Sequence, residues 1–304
     1  MKILEKDKVL SQNLVRYART ERNVLSLASH QFIVGLNFAF QSKSRLYLIM
    51  DYAPGGDMGM ALANHRRFQV DLARIYAAEI VLALEYLHKK DIIFRDLKPD
   101  NVVFDNEGHA MLTDFGLSKT GVGSSDVSQS FCGSVAYLAP EMLRRSGHSR
   151  SIDWYLLGVL IYEMLVGVPP YFNTSKSKLF EQIQSGPLKI PHTMPHDARQ
   201  IILLLLNRNP QKRLGAQRDA EEVKEHEFFA AIDWDAIAAR KGSVMQPTIR
   251  PVKHDAKSIR QFLQQEKESS DRFADFERTN LRGPNAANRA NVENWSFVRP
   301  NDRP

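Results

Sequence analysis

Apolar and polar positions follow two different periods along the chain. Leu10 to Leu27 has helical spacing, which predicts a helix carrying Glu21. Val34–Phe40 and Leu46–Tyr52 are short strand-like runs around the polar turn Gln41-Ser42-Lys43-Ser44. Pro54-Gly55-Gly56 breaks the pattern and marks a hinge between two lobes. Leu72, Ile75, Tyr76, Ile80, Ala83, Leu84 and Leu87 recur at helical spacing, so Asp71–Lys89 is predicted as an amphipathic helix. Short strands follow around Val102-Val103-Phe104 and Ala110-Met111-Leu112. From Ile152 onward the pattern is helical, with loops at Pro191–Pro195 and Asn207–Pro210. After Trp234 apolar residues thin out and Gln, Asn, Arg, Glu and Ser dominate, and Asn280–Asn291 resembles a flexible linker.

Composition narrows the class. The 304 residues can bury one or two substantial cores, and 43% apolar with 25% charged residues is ordinary for a globular protein. The net charge of +6 suits phosphates or acidic surfaces, but the basic residues are scattered. Without zinc-finger spacing, a basic heptad region or an aromatic stacking pattern, nucleic acid is not an expected partner. The single cysteine, Cys132, rules out a disulfide framework within the chain and points to a cytosolic or nuclear compartment. The longest apolar run, Ile152–Val168, is interrupted by Asp153 and Glu163. A membrane span needs about 20 mostly apolar residues, so a buried helix is expected there and no transmembrane segment.

The strongest chemical signal is Phe94-Arg95-Asp96-Leu97-Lys98-Pro99-Asp100-Asn101, followed by Asp114-Phe115-Gly116 and Ala139-Pro140-Glu141. Phosphoryl transfer needs positioning and charge neutralisation more than covalent chemistry. One carboxylate must orient the attacking hydroxyl and accept its proton. Two further oxygen ligands must hold Mg²⁺ on the phosphates. Asp96, Asn101 and Asp114 supply these functions at the protein-kinase spacing, and Lys98 can balance the transferring group. Any one motif alone could be a turn, since Asp, Pro and Asn are common turn residues. Their order along the chain rejects that reading.

These motifs resemble the AGC-type serine/threonine kinases, the group of protein kinase A, protein kinase C, Akt and the ribosomal S6 kinases. The resemblance runs from Lys2 into the tail, and Leu-Lys-Pro in the catalytic loop is the serine/threonine form. It implies a two-lobed α+β fold with a truncated small-lobe sheet, a mostly helical large lobe and an extended C-terminal tail. Residues 1–52 would be the partial small lobe, 53–230 the large lobe and 231–304 the regulatory tail. ATP and Mg²⁺ would be the cofactors. Lys2 would be the ATP lysine and Glu21 its ion-pair partner, while Leu25, Leu36, Phe94 and Phe115 would stack into a spine between the lobes. Met50 would be the gatekeeper behind adenine, with Asp51, Tyr52 and Ala53 as hinge and Val103 against the nucleotide. Asp153 would support the catalytic loop, and Glu141 with Arg213 would form a structural ion pair.

The same resemblance assigns regulation and specificity. Ser130, in Ser130-Phe131-Cys132-Gly133-Ser134, would be the target of an upstream activating kinase. Its phosphate would add about −1.5 to −2 charge, held by Arg95 and Lys119. Tyr17 stands where a clamping histidine is common. Ser134 would help seat the substrate hydroxyl near Asp96. Asp57, Asp100 and Glu163 match positions that bind arginines before the target residue, so substrates with basic residues N-terminal to Ser or Thr are expected. In the tail, Phe273-Ala274-Asp275-Phe276 resembles a segment that crosses the ATP pocket. Val292-Glu293-Asn294-Trp295-Ser296-Phe297 resembles the hydrophobic motif, with Ser296 at its regulatory position. Docked on the small lobe, that motif would hold the Glu21 helix inward.

The group's Gly-rich loop would precede Lys2, and only Met1 does so here. This sets the expectation that the chain by itself binds Mg·ATP weakly and has little or no kinase activity. The alternative to the enzyme is a truncated, inactive pseudokinase-like or scaffold form.

Overall fold

The structure is a computed structural model that describes residues 1–12, 14–120, 135–144, 147, 149–241, 292 and 294–300. Ser130, Cys132, Ser134, the Phe273–Phe276 motif and the linker at 280–291 lie outside the described residues.

The small lobe runs through β1 (Lys2–Glu5), α1 (Lys6–Ser11), α2 (Val15–Leu27), β2 (Leu36–Gln41) and β3 (Arg45–Met50). The large lobe has α3 (Met58–His65), α4 (Val70–Lys89), β4 (Ile92–Ile93), β5 (Val102–Phe104), β6 (Ala110–Leu112) and β7 (Lys119–Thr120). It continues with α5 (Pro140–Arg144), α6 (Ser151–Val166), α7 (Lys176–Ser185), α8 (His196–Leu205), α9 (Ala220–Lys224) and α10 (Trp234–Ala238). A last strand, β8 (Phe297–Val298), returns to the small lobe. The small-lobe sheet has the order β1-β3-β2-β8 with antiparallel pairing throughout. β5 pairs with β6, and β4 with β7.

Alternation along β3 explains the sheet. Leu46 and Leu48 point inward and are fully buried, while Arg45, Tyr47 and Ile49 are half-buried. Fully burying such a leucine is worth about 1.5–3 kcal/mol. Tyr47 pairs with Phe40 across the strands, and their rings stack with centroids 4.7 Å apart.

Two predicted elements differ in extent. The single helix over Leu10–Leu27 is in fact α1 and α2, and α1 begins at Lys6. The Leu14 amide reaches back to the Val9 carbonyl at 2.7 Å, which closes α1 before α2 starts. Polar Ser11 and Gln12 interrupt the apolar period at that point. The strand expected from Val34 starts at Leu36 because Val34 donates to Leu112 of β6 at 3.0 Å, and Leu112 donates to Phe32 at 2.9 Å. These bonds tie the small lobe to the large one.

The hinge is fastened from below. Gly55 donates to the Phe104 carbonyl and Phe104 to the Gly56 carbonyl, both at 2.9 Å, and Asp57 bridges Val103. A Cβ at Gly55 would lie 2.4 Å from Phe104 Cβ, so only glycine permits this approach. The large lobe is built on α4 and α6. α6 is buried nearly all round, as its long apolar run predicts. No helix among the described residues is long and apolar enough to cross a membrane.

Candidate active site

The catalytic loop lies between β4 and β5. Asp153, in the first turn of α6, is wholly buried beneath it. Its carboxylate accepts the backbone N–H of Phe94 at 2.8 Å and of Arg95 at 2.7 Å. His88, at the end of α4, donates to Asp153 at 2.9 Å and to Asp219 at 2.8 Å. Both partners are carboxylates, so both ring nitrogens act as donors and the imidazole carries a proton. Burial pulls the His88 pKa down, but the bonds and charges of the two aspartates outweigh it and raise it to about 9.

Asp96 follows directly. Its Oδ2 accepts from Lys98 Nζ at 3.0 Å and from Asn101 Nδ2 at 2.7 Å. Asn101 Nδ2 also reaches the Asp96 carbonyl at 2.8 Å, across a 3-10 turn over Pro99–Asn101. Burial raises the Asp96 pKa, Lys98 and Asn101 pull it down, and Asp114 adds to the rise. The Thr113 amide donates to the Asn101 carbonyl at 3.0 Å, which places Asp114 beside this cluster.

Lys2 joins the lobes. Its Nζ lies 2.6 Å from Glu21 Oε1 and 3.2 Å from Asp114 Oδ1. Burial would lower the Lys2 pKa, but Glu21 and Asp114 more than reverse this, so Lys2 is charged at neutral pH. Burial raises the Glu21 pKa, with Lys2 opposing the rise. Asp114 stands at φ +62° with half of its side chain exposed. Phe115 is buried edge-on against Phe94, with ring centroids 5.1 Å apart, and Leu25 and Leu36 are buried in the same core. Lys2, Glu21 and Asp114 line a cavity of about 340 Å³ walled by Leu4, Val9 and Tyr17.

Met50 packs partly buried against the core, and the Asp51 amide donates to the Gly35 carbonyl at 2.9 Å. Ala53 is half-buried beyond them. Val103 sits on β5, paired with Met111.

The three carboxylates expected to bind substrate arginines lie near one another. Asp57 caps α3 by accepting the Met60 amide at 2.8 Å. It faces Asp100 across Gly59, where a Cβ would lie 3.1 Å from Asp57 Oδ1 and 3.6 Å from Asp100 Oδ1. Glu163 accepts the Tyr137 hydroxyl. Burial, with repulsion from Asp100, pushes the Glu163 pKa up to about 7.

Arg95 stands at φ +67° and donates to the Leu117 carbonyl at 2.7 Å and the Ser118 carbonyl at 3.3 Å. Lys119 pairs through its backbone with Ile93. Glu141 and Arg213 form a buried bidentate pair at 2.7 and 2.9 Å.

The described residues of the segment expected to be the hydrophobic motif are docked on the small lobe. Trp295 is 1% exposed and donates its indole N–H to the Phe40 carbonyl at 2.9 Å. Val292 is buried and exchanges two bonds with the Gln41 side chain, at 3.0 and 3.1 Å. Arg22, next to Glu21 on α2, donates to the carbonyls of Trp295 at 3.1 Å and Ser296 at 2.8 Å. Ser296 itself is exposed. Sequence reasoning missed Arg22 and Gln41. The only signal for Arg22 was its place beside Glu21, and Gln41 had been assigned to a turn.

Comparison with known proteins agrees with this geometry. The protein kinase domain family matches residues 1–229. Protein kinase 2 of Dictyostelium discoideum is 43% identical over 80% of the chain and 50% of its own length. Serine/threonine-protein kinase Sgk1 of Xenopus tropicalis is 41% identical over 79% of the chain and 58% of its own length. RAC-beta serine/threonine-protein kinase of Rattus norvegicus is 41% identical over 83% of the chain and 52% of its own length. The chain therefore spans about half the length of the curated relatives it matches. It belongs to the protein kinase family, among the AGC-type serine/threonine kinases.

Proposed function

We propose that the protein transfers the γ-phosphate of ATP to serine or threonine in protein substrates, favouring those with basic residues before the target. The observation that carries this is the convergence of Lys2, Glu21 and Asp114 beside the Asp96–Lys98–Asn101 cluster.

Each residue has a chemical task. Asp96, held by Lys98 and Asn101, accepts the proton of the substrate hydroxyl and orients its oxygen. Lys98 offsets charge on the transferring group. Lys2, kept charged and aimed by Glu21, binds phosphate oxygens. Backbone groups of Asp51–Ala53 meet the adenine edge, with Met50 behind it and Val103 beneath. Mg²⁺ would be held by Asn101 and Asp114. The donor set fits: Asn101 spends its amide nitrogen on Asp96, which leaves a carbonyl oxygen, and Asp114 is half exposed. Magnesium takes few protein oxygens and completes its shell with water and phosphate. When bound it neutralises phosphate charge as the bond to the leaving group breaks.

Asp57, Asp100 and Glu163 would receive arginine guanidinium groups in bidentate fashion. Ser130 and Ser296 are the proposed regulatory phosphorylation sites, with an upstream kinase acting on Ser130. Arg95 and Lys119 would receive the Ser130 phosphate, and Ser134 would seat the substrate hydroxyl.

The test is peptide phosphorylation and ATP binding in a protein containing this whole chain. Asp96→Ala should abolish transfer while ATP still binds, and Asp114→Ala should abolish transfer by removing a magnesium ligand. Transfer that survives both substitutions would reject the reading, and a library preference for acidic or proline-directed targets would reject the basic specificity.

A further inference from the structure

β8 ends at Val298, but its pairing with β2 continues one residue further. The Arg299 amide donates to the Asn37 carbonyl at 2.9 Å, which fixes the Arg299 backbone beside the start of β2. From there the guanidinium Nη1 comes within 3.7 Å of Asp51 Oδ2. Asp51 is the hinge residue directly after Met50.

The Asp51 carboxylate is held from two other sides. Asn37 Nδ2 donates to Oδ1 at 3.0 Å and the Gly35 amide to Oδ2 at 3.2 Å. Asn37 thus binds Arg299 through its carbonyl and Asp51 through its side chain. Position 35 has no side chain, and this is what admits the pair. A Cβ on Gly35 would lie 2.4 Å from Arg299 Nη1 and 2.5 Å from Asp51 Oδ2.

We propose that Arg299 is a positioning residue for the nucleotide hinge, coupling the docked tail segment to the Asp51 carboxylate. An isolated surface pair would contribute little, because ordering two long side chains offsets the attraction. Here β8 and the buried Trp295 already fix the arginine backbone, and two other donors already orient the carboxylate. Little ordering remains for the pair to offset. Release of the tail removes the cation from Asp51 and loosens the segment whose backbone would meet adenine. The tail would then act on nucleotide binding by a route separate from Arg22 and the Glu21 helix.

The inference rests on the proposed ATP seat, so its test has one readout that needs ATP and one that does not. Arg299→Met, Arg299→Lys, Asp51→Asn and the Arg299→Met/Asp51→Asn double variant are compared with the unmodified protein. The readouts are kcat, KM for ATP, and hydrogen exchange of the amides of residues 49–54. Arg299→Met should raise KM for ATP by about two- to five-fold, with a smaller change in kcat, and speed hinge exchange. Arg299→Lys should restore most of both. In the Asp51→Asn background Arg299→Met should add nothing, whereas general undocking of the tail would act in either background. Unchanged hinge exchange in Arg299→Met, or an undiminished effect in the Asp51→Asn background, overturns the inference. An unmodified protein that fails to bind ATP counts against the proposed function, and the exchange cycle then decides the inference alone.

Discussion

Asp153 accepts the Arg95 amide at 2.7 Å, and Arg95 stands at φ +67°. A non-glycine residue in that region costs about 1–3 kcal/mol and persists only where surrounding bonds impose it. Asp153 imposes it, and His88 holds Asp153 in place. The His88 pKa is raised from 6.5 to about 9, so its stabilisation is complete below about pH 6.5 and is lost as pH rises through about 9. The unfolding free energy read from denaturant titrations should therefore fall between pH 6.5 and 9.5, by up to about 3 kcal/mol. His88→Ala should abolish that slope and lower stability at pH 7. An equal slope in both proteins would show that another group titrates.

Removing the Trp295 ring should release the docked motif. A buried tryptophan cut to alanine costs about 3–5 kcal/mol where it packs in a core. Trp295→Ala should lower Tm, speed hydrogen exchange of the Ala39 amide, and reduce kinase activity. Arg22→Ala should do the same more mildly, since it loses bonds to two carbonyls but no core volume. Unaltered exchange at β2 in Trp295→Ala would show that the strand does not depend on the motif.

Glu163 gives the proposed substrate preference a pH signature. Its pKa of about 7 means that acidification removes the charge a substrate arginine would meet. KM for an arginine-containing peptide should rise as pH falls from 8 to 6, by up to about ten-fold. Glu163→Gln should raise KM at pH 8 and flatten the profile. A profile unchanged by the substitution would place arginine recognition elsewhere.

The Glu141–Arg213 pair should be costly to break from one side. Arg213→Met takes the guanidinium away from a buried carboxylate and should destabilise by about 3–5 kcal/mol. Glu141→Leu combined with Arg213→Met should cost less than the two single changes summed. Strict additivity in urea denaturation would mean that the partners contribute independently.

The sequence was most informative where function and fold are local. Asp96, Lys98 and Asn101 meet because they lie within six consecutive residues that include one 3-10 turn. β5 and β6 have the predicted bounds, and α4 begins one residue early, at Val70. Their periods are strong and their ends are marked by turn residues. Lys2, Glu21 and Asp114 could be connected only through family resemblance, since no local rule joins residues that distant. Asn37 and Arg299 were not singled out, and Gln41 was read only as part of a turn. Each looks like an ordinary polar residue until β8 lies against β2, because the contact is made by tertiary docking. The break between α1 and α2 was missed because a helical period tolerates one turn of polar residues.

The strand that covers β2 has a further consequence, for synthesis. Trp295 follows its acceptor Phe40 by 255 residues. On the ribosome, β2 and β3 emerge long before their neighbour exists. Through that interval the backbone edge of β2 that β8 later pairs stands open. The nascent chain thus carries a hairpin with an open strand edge that only late translation can pair.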